Sequence, residues 1–361
     1  MLFNIEFDSG VALEGYIVPD GFSEVASIRV SDENNEFGVF PCDQARPAVV
    51  AAGRHQTGLV GFRLDQSRIP TIRDLRTLMV HDAKSGILIY RRPQVEFPIQ
   101  KKIIRLETQI LPMAKFDRHC GRLFNYELHS MERFGHETTL QAFHLDSTNS
   151  IYLSGRLLMR NYEHFLDKGF EGIVLLSDPY YELALRLFLL KRMVTIPINF
   201  IGERDQLIFG PAADYFADTN FEDEDDLRAR LKKAPPKVTN VLSSPVIRQL
   251  VCASPEQRVT RREVAPAIDL LSRFTVVGHN SDAVPFQGAV SELLGIPFDD
   301  ITTPSRQTLL EDIAEKLRRI PAAEMLLEED LIFNHYVVDA LLLDRFDGLK
   351  MKAKQHANTA S

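Results

Sequence analysis

Gly172-Ile173-Val174-Leu175-Leu176-Ser177-Asp178-Pro179, followed by YYELALRLFLLKRM over residues 180–193, is the stretch that sets the fold class. A continuous apolar run bounded by polar residues reads as a strand buried on both faces, as in a parallel sheet. Asp178 is a good helix N-cap and Pro179 suits the first helical position. The helix that follows is apolar nearly all round, so it is expected to be largely buried. A second unit of this kind runs from Phe274–Val277 through Gly278-His279-Asn280-Ser281 into a helix that ends at Leu294, with Gly295 closing it. Strand-turn-helix units in succession predict an α/β domain with a parallel sheet flanked by helices.

Outward from this core, FEDEDDLRARLKKAPPK has acidic residues at a helix start and basic ones at its end, complementing the helix dipole, and Pro235-Pro236 stops it. Thr303-Pro304 is expected to open a helix over SRQTLLEDIAEKLRRI, and Glu328–Phe346 to form another. Residues 1–97 look different. Short alternating runs such as Phe3–Phe7, Ala26–Val30, Glu36–Phe40 and Val60–Leu64 are broken by Gly, Asn, Asp and Pro, which predicts a small antiparallel β-sandwich. The reading divides the chain into a β-sandwich at 1–97, an α/β domain at 98–349 and a flexible polar tail at 350–361. RRPQVEFP (residues 91–98) serves as the linker.

The chain has 361 residues, 45% hydrophobic and 25% charged, enough to bury a sizeable core without metal or disulfide staples. A formal charge of −8 argues against a nucleic-acid binder, which needs clustered Lys and Arg to displace counterions. Cys42, Cys120 and Cys252 are scattered, with neither zinc-ligand spacing nor a disulfide framework. MLFNIEFDSGV lacks the pattern of a secretory signal, and no run of about 18 apolar residues predicts a transmembrane span. A cytoplasmic protein is expected.

Candidate chemistry is sparse. Asp223-Glu224-Asp225 matches a metal-binding pair of some glycosyltransferases, but it lies in a charged helix start that dipole complementation explains. The histidines form no metal set, and no Gly-x-Ser-x-Gly elbow is present. Between Gly86 and Gly121 there is no glycine. The candidate phosphate loop is therefore Lys115-Phe116-Asp117-Arg118-His119-Cys120-Gly121-Arg122, after an apolar stretch, Ile110–Ala114, expected to end the first strand.

Together these segments resemble the bacterial carbohydrate sulfotransferases, of the superfamily that uses 3′-phosphoadenylyl sulfate, from about residue 108 to 345. Tyr152-Leu153-Ser154-Gly155-Arg156 resembles the family's Ser-Gly-His segment, and IVLLSDPYYELALRLFLL from Ile173 its Leu-Arg-Asp-Pro strand and helix. NVLSSPVIRQL, from Asn240, resembles the Asn-x-Gln-x-Arg-x-Leu region with Arg248 retained. FTVVGHNSDAVPFQGAVSELLGI from Phe274 is similar to the late strand and helix, and LLEEDLIFNHYVVDAL from Leu326 to the closing helix. The N-terminal segment is similar to accessory domains of bacterial glycan-modifying enzymes.

The resemblance implies a P-loop sulfotransferase-like fold, 3′-phosphoadenylyl sulfate as cofactor with no metal, and a glycan or polysaccharide acceptor. The chain departs from the family's cofactor loop, Lys-x-Gly-Ser/Thr-Ser/Thr, with His119-Cys120-Gly121-Arg122-Leu123. The family's 3′-phosphate Arg falls on Ser177 and its helix Ser on Leu185, while Asp178 and Pro179 persist. Carried over, the anion site is Lys115, Arg118, Gly121 and Arg122, with Ser177 and Arg248 further along the cofactor. His119 stands in for the Lys that stabilises charge on the bridging oxygen, and His144 or Glu182 is the base that takes the hydroxyl proton. Three expectations follow: a divergent sulfotransferase of surface-polysaccharide modification, a non-catalytic glycan-binding or scaffolding protein on the same fold, or a glycosyltransferase using Asp223 and Asp225.

Overall fold

The computed structural model describes residues 1–93 and 99–359, the last part, 344–359, as backbone alone. The expected 97/98 boundary lies outside the described residues. By compactness the chain divides into Met1–Ile104 with Asp117–Ser154, and Arg105–Phe116 with Gly155–Ser361.

The first unit holds two four-stranded antiparallel sheets. One has the order β1-β2-β6-β5, from β1 (Leu2–Asp8), β2 (Ala12–Val18), β5 (Gln44–Ala45) and β6 (Leu59–Asp65). The other, β4-β3-β7-β8, is built from β3 (Ser27–Ser31), β4 (Glu36–Pro41), β7 (Met79–Asp82) and β8 (Leu88–Arg91). Period-two burial explains both. Ile28 and Val30 turn inward around Arg29, and Val60, Phe62 and Leu64 around Arg63. Asp8, at the end of β1, accepts from Tyr90 Oη (2.9 Å) and Arg92 Nε (2.8 Å), joining the two sheets.

A five-stranded parallel sheet has the order β10-β11-β9-β12-β13. Its strands are β9 (Lys102–Leu106), β10 (Tyr126–Leu128), β11 (Ile151–Gly155), β12 (Phe170–Leu176) and β13 (Val276–His279). β12 has the expected double-sided burial, with Gly172 to Leu176 all buried, and pairs in parallel with β13 from Ile173↔Val276 to Leu176↔His279.

Helices α1 (Pro47–Ala51), α2 (Ala114–Gly121) and α3 (His136–Phe143) precede α4 (Pro179–Met193). Asp178 caps α4 through Tyr181 N–H at 2.9 Å, with Pro179 in its first turn. α4 is buried almost continuously to Leu190. It packs against α5 (Glu203–Phe216), and its core cluster also takes in α6 (Glu224–Lys233) and α7 (Pro236–Leu242). α8 (Pro245–Val251), α9 (Val264–Leu271) and α10 (Val284–Leu294) follow, and Gly295 closes α10 in the left-handed region at φ 66°.

Three expectations about element limits change. The first strand of the parallel sheet is β9; of the stretch expected to end it, Ile110–Met113 belongs to the loop beyond, where Pro112 has no N–H to give a ladder, and Ala114 opens α2. Helix α11 (Thr308–Arg318) starts later than Pro304 because Gln307 N–H donates to Tyr181 Oη at 3.1 Å, holding the entry extended. Helix α12 (Pro321–Thr359) starts before Glu328, at a proline, and carries the backbone through most of the segment expected as a tail. Among the described residues no helix is long and apolar enough to cross a membrane.

Candidate functional site

In the second unit, the loop between β9 and α2 is built around a buried carboxylate. Glu107 Oε2 accepts from Arg105 Nη1 at 3.0 Å and from Met113 N–H at 2.8 Å, while Oε1 accepts from Gln109 N–H at 3.1 Å. Arg105 and Glu107 are both almost fully buried. The amide of Ile110 donates to a second carboxylate, Glu182 Oε1, at 2.8 Å. The backbone donors that would cradle a phosphate here therefore already bind acidic side chains of the chain itself. A phosphate oxygen about 4 Å from one of these carboxylates would meet a repulsion of about 4 kcal/mol at an effective dielectric of 20. The 107–113 loop thus does not fit an anionic phosphate group, and the segment expected to form the phosphate loop, residues 115–122, is instead helix α2 and the residue after it.

The turn from β12 into α4 supplies the neighbouring groups. Glu182 lies in the first turn of α4, and its Oε1 also accepts from Arg186 Nε at 2.9 Å. Burial pushes the Glu182 carboxyl up to about 7, against the pull of Arg186. Its Oε2, Ser177 Oγ, Gln109 Nε2 and Gln249 Oε1 are buried without a hydrogen-bond partner. Gln249 Nε2 donates to Glu107 O at 2.9 Å. On α12, Asp330 accepts from Val246 and Ile247 N–H at 3.1 and 2.9 Å, and burial raises its carboxyl to about 6. Perturbed carboxyls with unsatisfied polar atoms beside strand carboxyl ends mark a candidate site in an α/β sheet.

The sequence-predicted residues divide between the two units. In the second, Glu182 is tied to the 107–113 loop, and Ser177 follows β12 directly. Lys115 is exposed on α2. Arg248 has structural duties, donating to Pro255 O and Gln257 O at 2.9 and 2.8 Å. In the first unit, Arg118, half-buried His119 and Gly121 lie on α2, and Arg122 is exposed just beyond it. They stand on a helix, not in the loop expected of them. Gly121 has its own reason: a Cβ there would strike Glu127 and His129. His144, a candidate base, is the exposed C-cap of α3, its N–H bonded to Leu140 O and Gln141 O. Asp223 caps α6, accepting from the N–H groups of Asp225 and Asp226, and Asp225 pairs with Arg228. Among the described residues no group of three or more His, Cys, Asp or Glu side chains is placed to hold a metal ion.

Two hydrogen-bonded chains were missed by the sequence reading. In the first unit, His129 Nε2 meets Glu127 Oε2 at 3.0 Å and its Nδ1 meets Ser154 Oγ at 3.1 Å, with Arg91 on the other Glu127 oxygen. Ser154 is fully buried. The i, i+2 spacing of Glu127 and His129 was a signal, but Ser154 reaches them only through the pairing of β10 with β11. In the second unit, His279 meets Ser281 Oγ and Asn334 Oδ1. The partner on α12 is 55 residues away, beyond any spacing rule. No family model, curated protein or solved structure matches the chain.

Proposed function

We propose that this chain is a glycan-binding or scaffolding protein of bacterial surface-polysaccharide modification, built on a divergent sulfotransferase-like fold that no longer takes 3′-phosphoadenylyl sulfate in its first loop. The observation that carries the reading is the occupation of the Gln109, Ile110 and Met113 amides by Glu107 and Glu182. The glycan comes from the resemblance of the ordered landmarks between residues 108 and 345, and from that of the N-terminal segment to accessory domains. The side chains tied up in structure support it too: Arg248 is spent on backbone carbonyls and Asp178 pairs with Arg318 at 2.9 Å.

The test is calorimetric titration of the full chain with adenosine 3′,5′-bisphosphate, beside a binding screen on bacterial polysaccharides. The reading expects no saturable bisphosphate binding up to millimolar ligand and retention on at least one polysaccharide. Micromolar bisphosphate affinity would return the chain to the sulfotransferase expectation. Loss of all polysaccharide binding would remove the glycan.

A further inference from the structure

The turn after β13 carries a constellation with no role in the reading above. His279, its last residue, is buried, whereas Ser281 is exposed. Ser281 Oγ lies 2.7 Å from His279 Nδ1, and His279 Nε2 lies 3.0 Å from Asn334 Oδ1. The Ser281 backbone N–H also points at Nδ1, at 3.2 Å. An N–H can only donate, so Nδ1 is the bare acceptor nitrogen and Nε2 carries the proton that Asn334 accepts. The Ser281 hydroxyl therefore donates to a neutral imidazole oriented from behind by an amide oxygen. Burial holds His279 below its ordinary value, which keeps it neutral near pH 7.

His279 and Ser281 also line a cleft of about 90 Å³, with Asn334 behind the imidazole and outside that lining. His279, Ser281 and Asp282 are its polar lining side chains, and Val277, Phe286, Val338 and Leu341 are among its apolar walls. A mostly apolar cleft with a few convergent polar groups is the usual form of a small-molecule site. Its size and its apolar walls admit a short uncharged acyl chain. Helix α10 begins at Val284, so the positive end of its dipole follows directly on this turn.

We propose that Ser281 is a nucleophile activated by His279, with Asn334 as the positioning residue, and that this site hydrolyses neutral short-chain carboxylic esters. In the first half-reaction Ser281 Oγ bonds to the ester carbonyl carbon as its proton passes to His279 Nδ1. The carbon–oxygen bond to the leaving alcohol then breaks, and the imidazolium returns the proton to that alcohol. In the second, water loses a proton to His279 and attacks the acyl-serine, the acid is released and Ser281 regains its proton. Water is the only co-reactant. The site is independent of the 107–113 loop, so the bisphosphate titration neither supports nor harms it.

The experiment uses the full chain with a fluorophosphonate probe and with p-nitrophenyl acetate and butyrate. A phosphonyl adduct on Ser281 by mass spectrometry is expected, absent from His279→Gln, together with ester turnover above the buffer rate. Ser281→Ala, an exposed change that circular dichroism should show to be folded, is expected to lower turnover at least 100-fold. Asn334→Ala is expected to lower kcat about 10- to 100-fold with KM little changed, and Asn334→Asp, which still accepts from Nε2, to recover most of it. No adduct on Ser281, or ester turnover that survives Ser281→Ala, overturns the proposal. An adduct without turnover of either ester overturns the hydrolytic step.

Discussion

The loop after β9 and the turn after β13 are the same kind of place, the carboxyl end of a parallel strand leading into a helix, and they treat their polar groups in opposite ways. After β9, the Gln109, Ile110 and Met113 amides and Arg105 Nη1 donate to the carboxyl groups of Glu107 and Glu182, and of the loop's donors Gln109 Nε2 is buried without a partner. After β13, a neutral imidazole holds an exposed hydroxyl in the lining of a cleft. An anion site needs donors with nothing to donate to, and a nucleophile needs a base behind it and access in front. The first loop is a buried staple; the second has the elements the proposed reactive site needs.

The contrast breaks first at Glu107. Glu107→Ala leaves Arg105 buried without this partner and two amides without acceptors, so unfolding free energy should drop by about 3–5 kcal/mol in chemical denaturation. A loss under about 1 kcal/mol would show that the loop is held elsewhere.

The next test is pH dependence. Glu182 and Asp330 titrate in the folded chain at about 7 and about 6, above their ordinary values of 4.5 and 3.8. The folded chain therefore binds more protons than the unfolded one across this window. Their contribution is complete below about pH 4 and is lost as pH rises towards 7. Glu182→Gln should flatten that fall by on the order of 2–3 kcal/mol, measured by denaturation across pH 4 to 8. An unchanged slope would place the titration on other groups.

On the β13 side, a Cβ on Gly278 would stand 2.5 Å from Phe286 Cβ, in the wall of the cleft. Gly278→Ala should cost about 1–3 kcal/mol in thermal or chemical unfolding. Full stability would mean that α10 shifts freely. The smallest effect belongs to Ser177, whose buried hydroxyl has no partner. Ser177→Ala should leave stability within about 0.5 kcal/mol, or raise it slightly, whereas a loss of 1 kcal/mol or more would reveal a bound water.

Much of the scaffold was legible because its signals are local. Residues 172–179 spell a buried strand, a cap and a first helical turn, and each took that place. The acidic start and basic end of α6 likewise follow from the dipole and the Asp223 cap. The first strand was misplaced because Ile110 and Met113 are as apolar as strand residues; they are buried within a loop that Glu107 shapes. The surroundings of His144 depend on where α3 ends, which its neighbours in sequence do not announce.

The sequence alone thus determined the α/β class, the antiparallel start and the strand-to-helix turn at Asp178, since periodicity and capping act within a few residues. Tertiary structure decided which side chains face one another. Glu182 reaches Ile110 across 72 residues and Asn334 reaches His279 across 55. Such pairings depend on how strands and helices pack, and side-chain chemistry is set by those neighbours' distances and burial, which no short window of sequence contains.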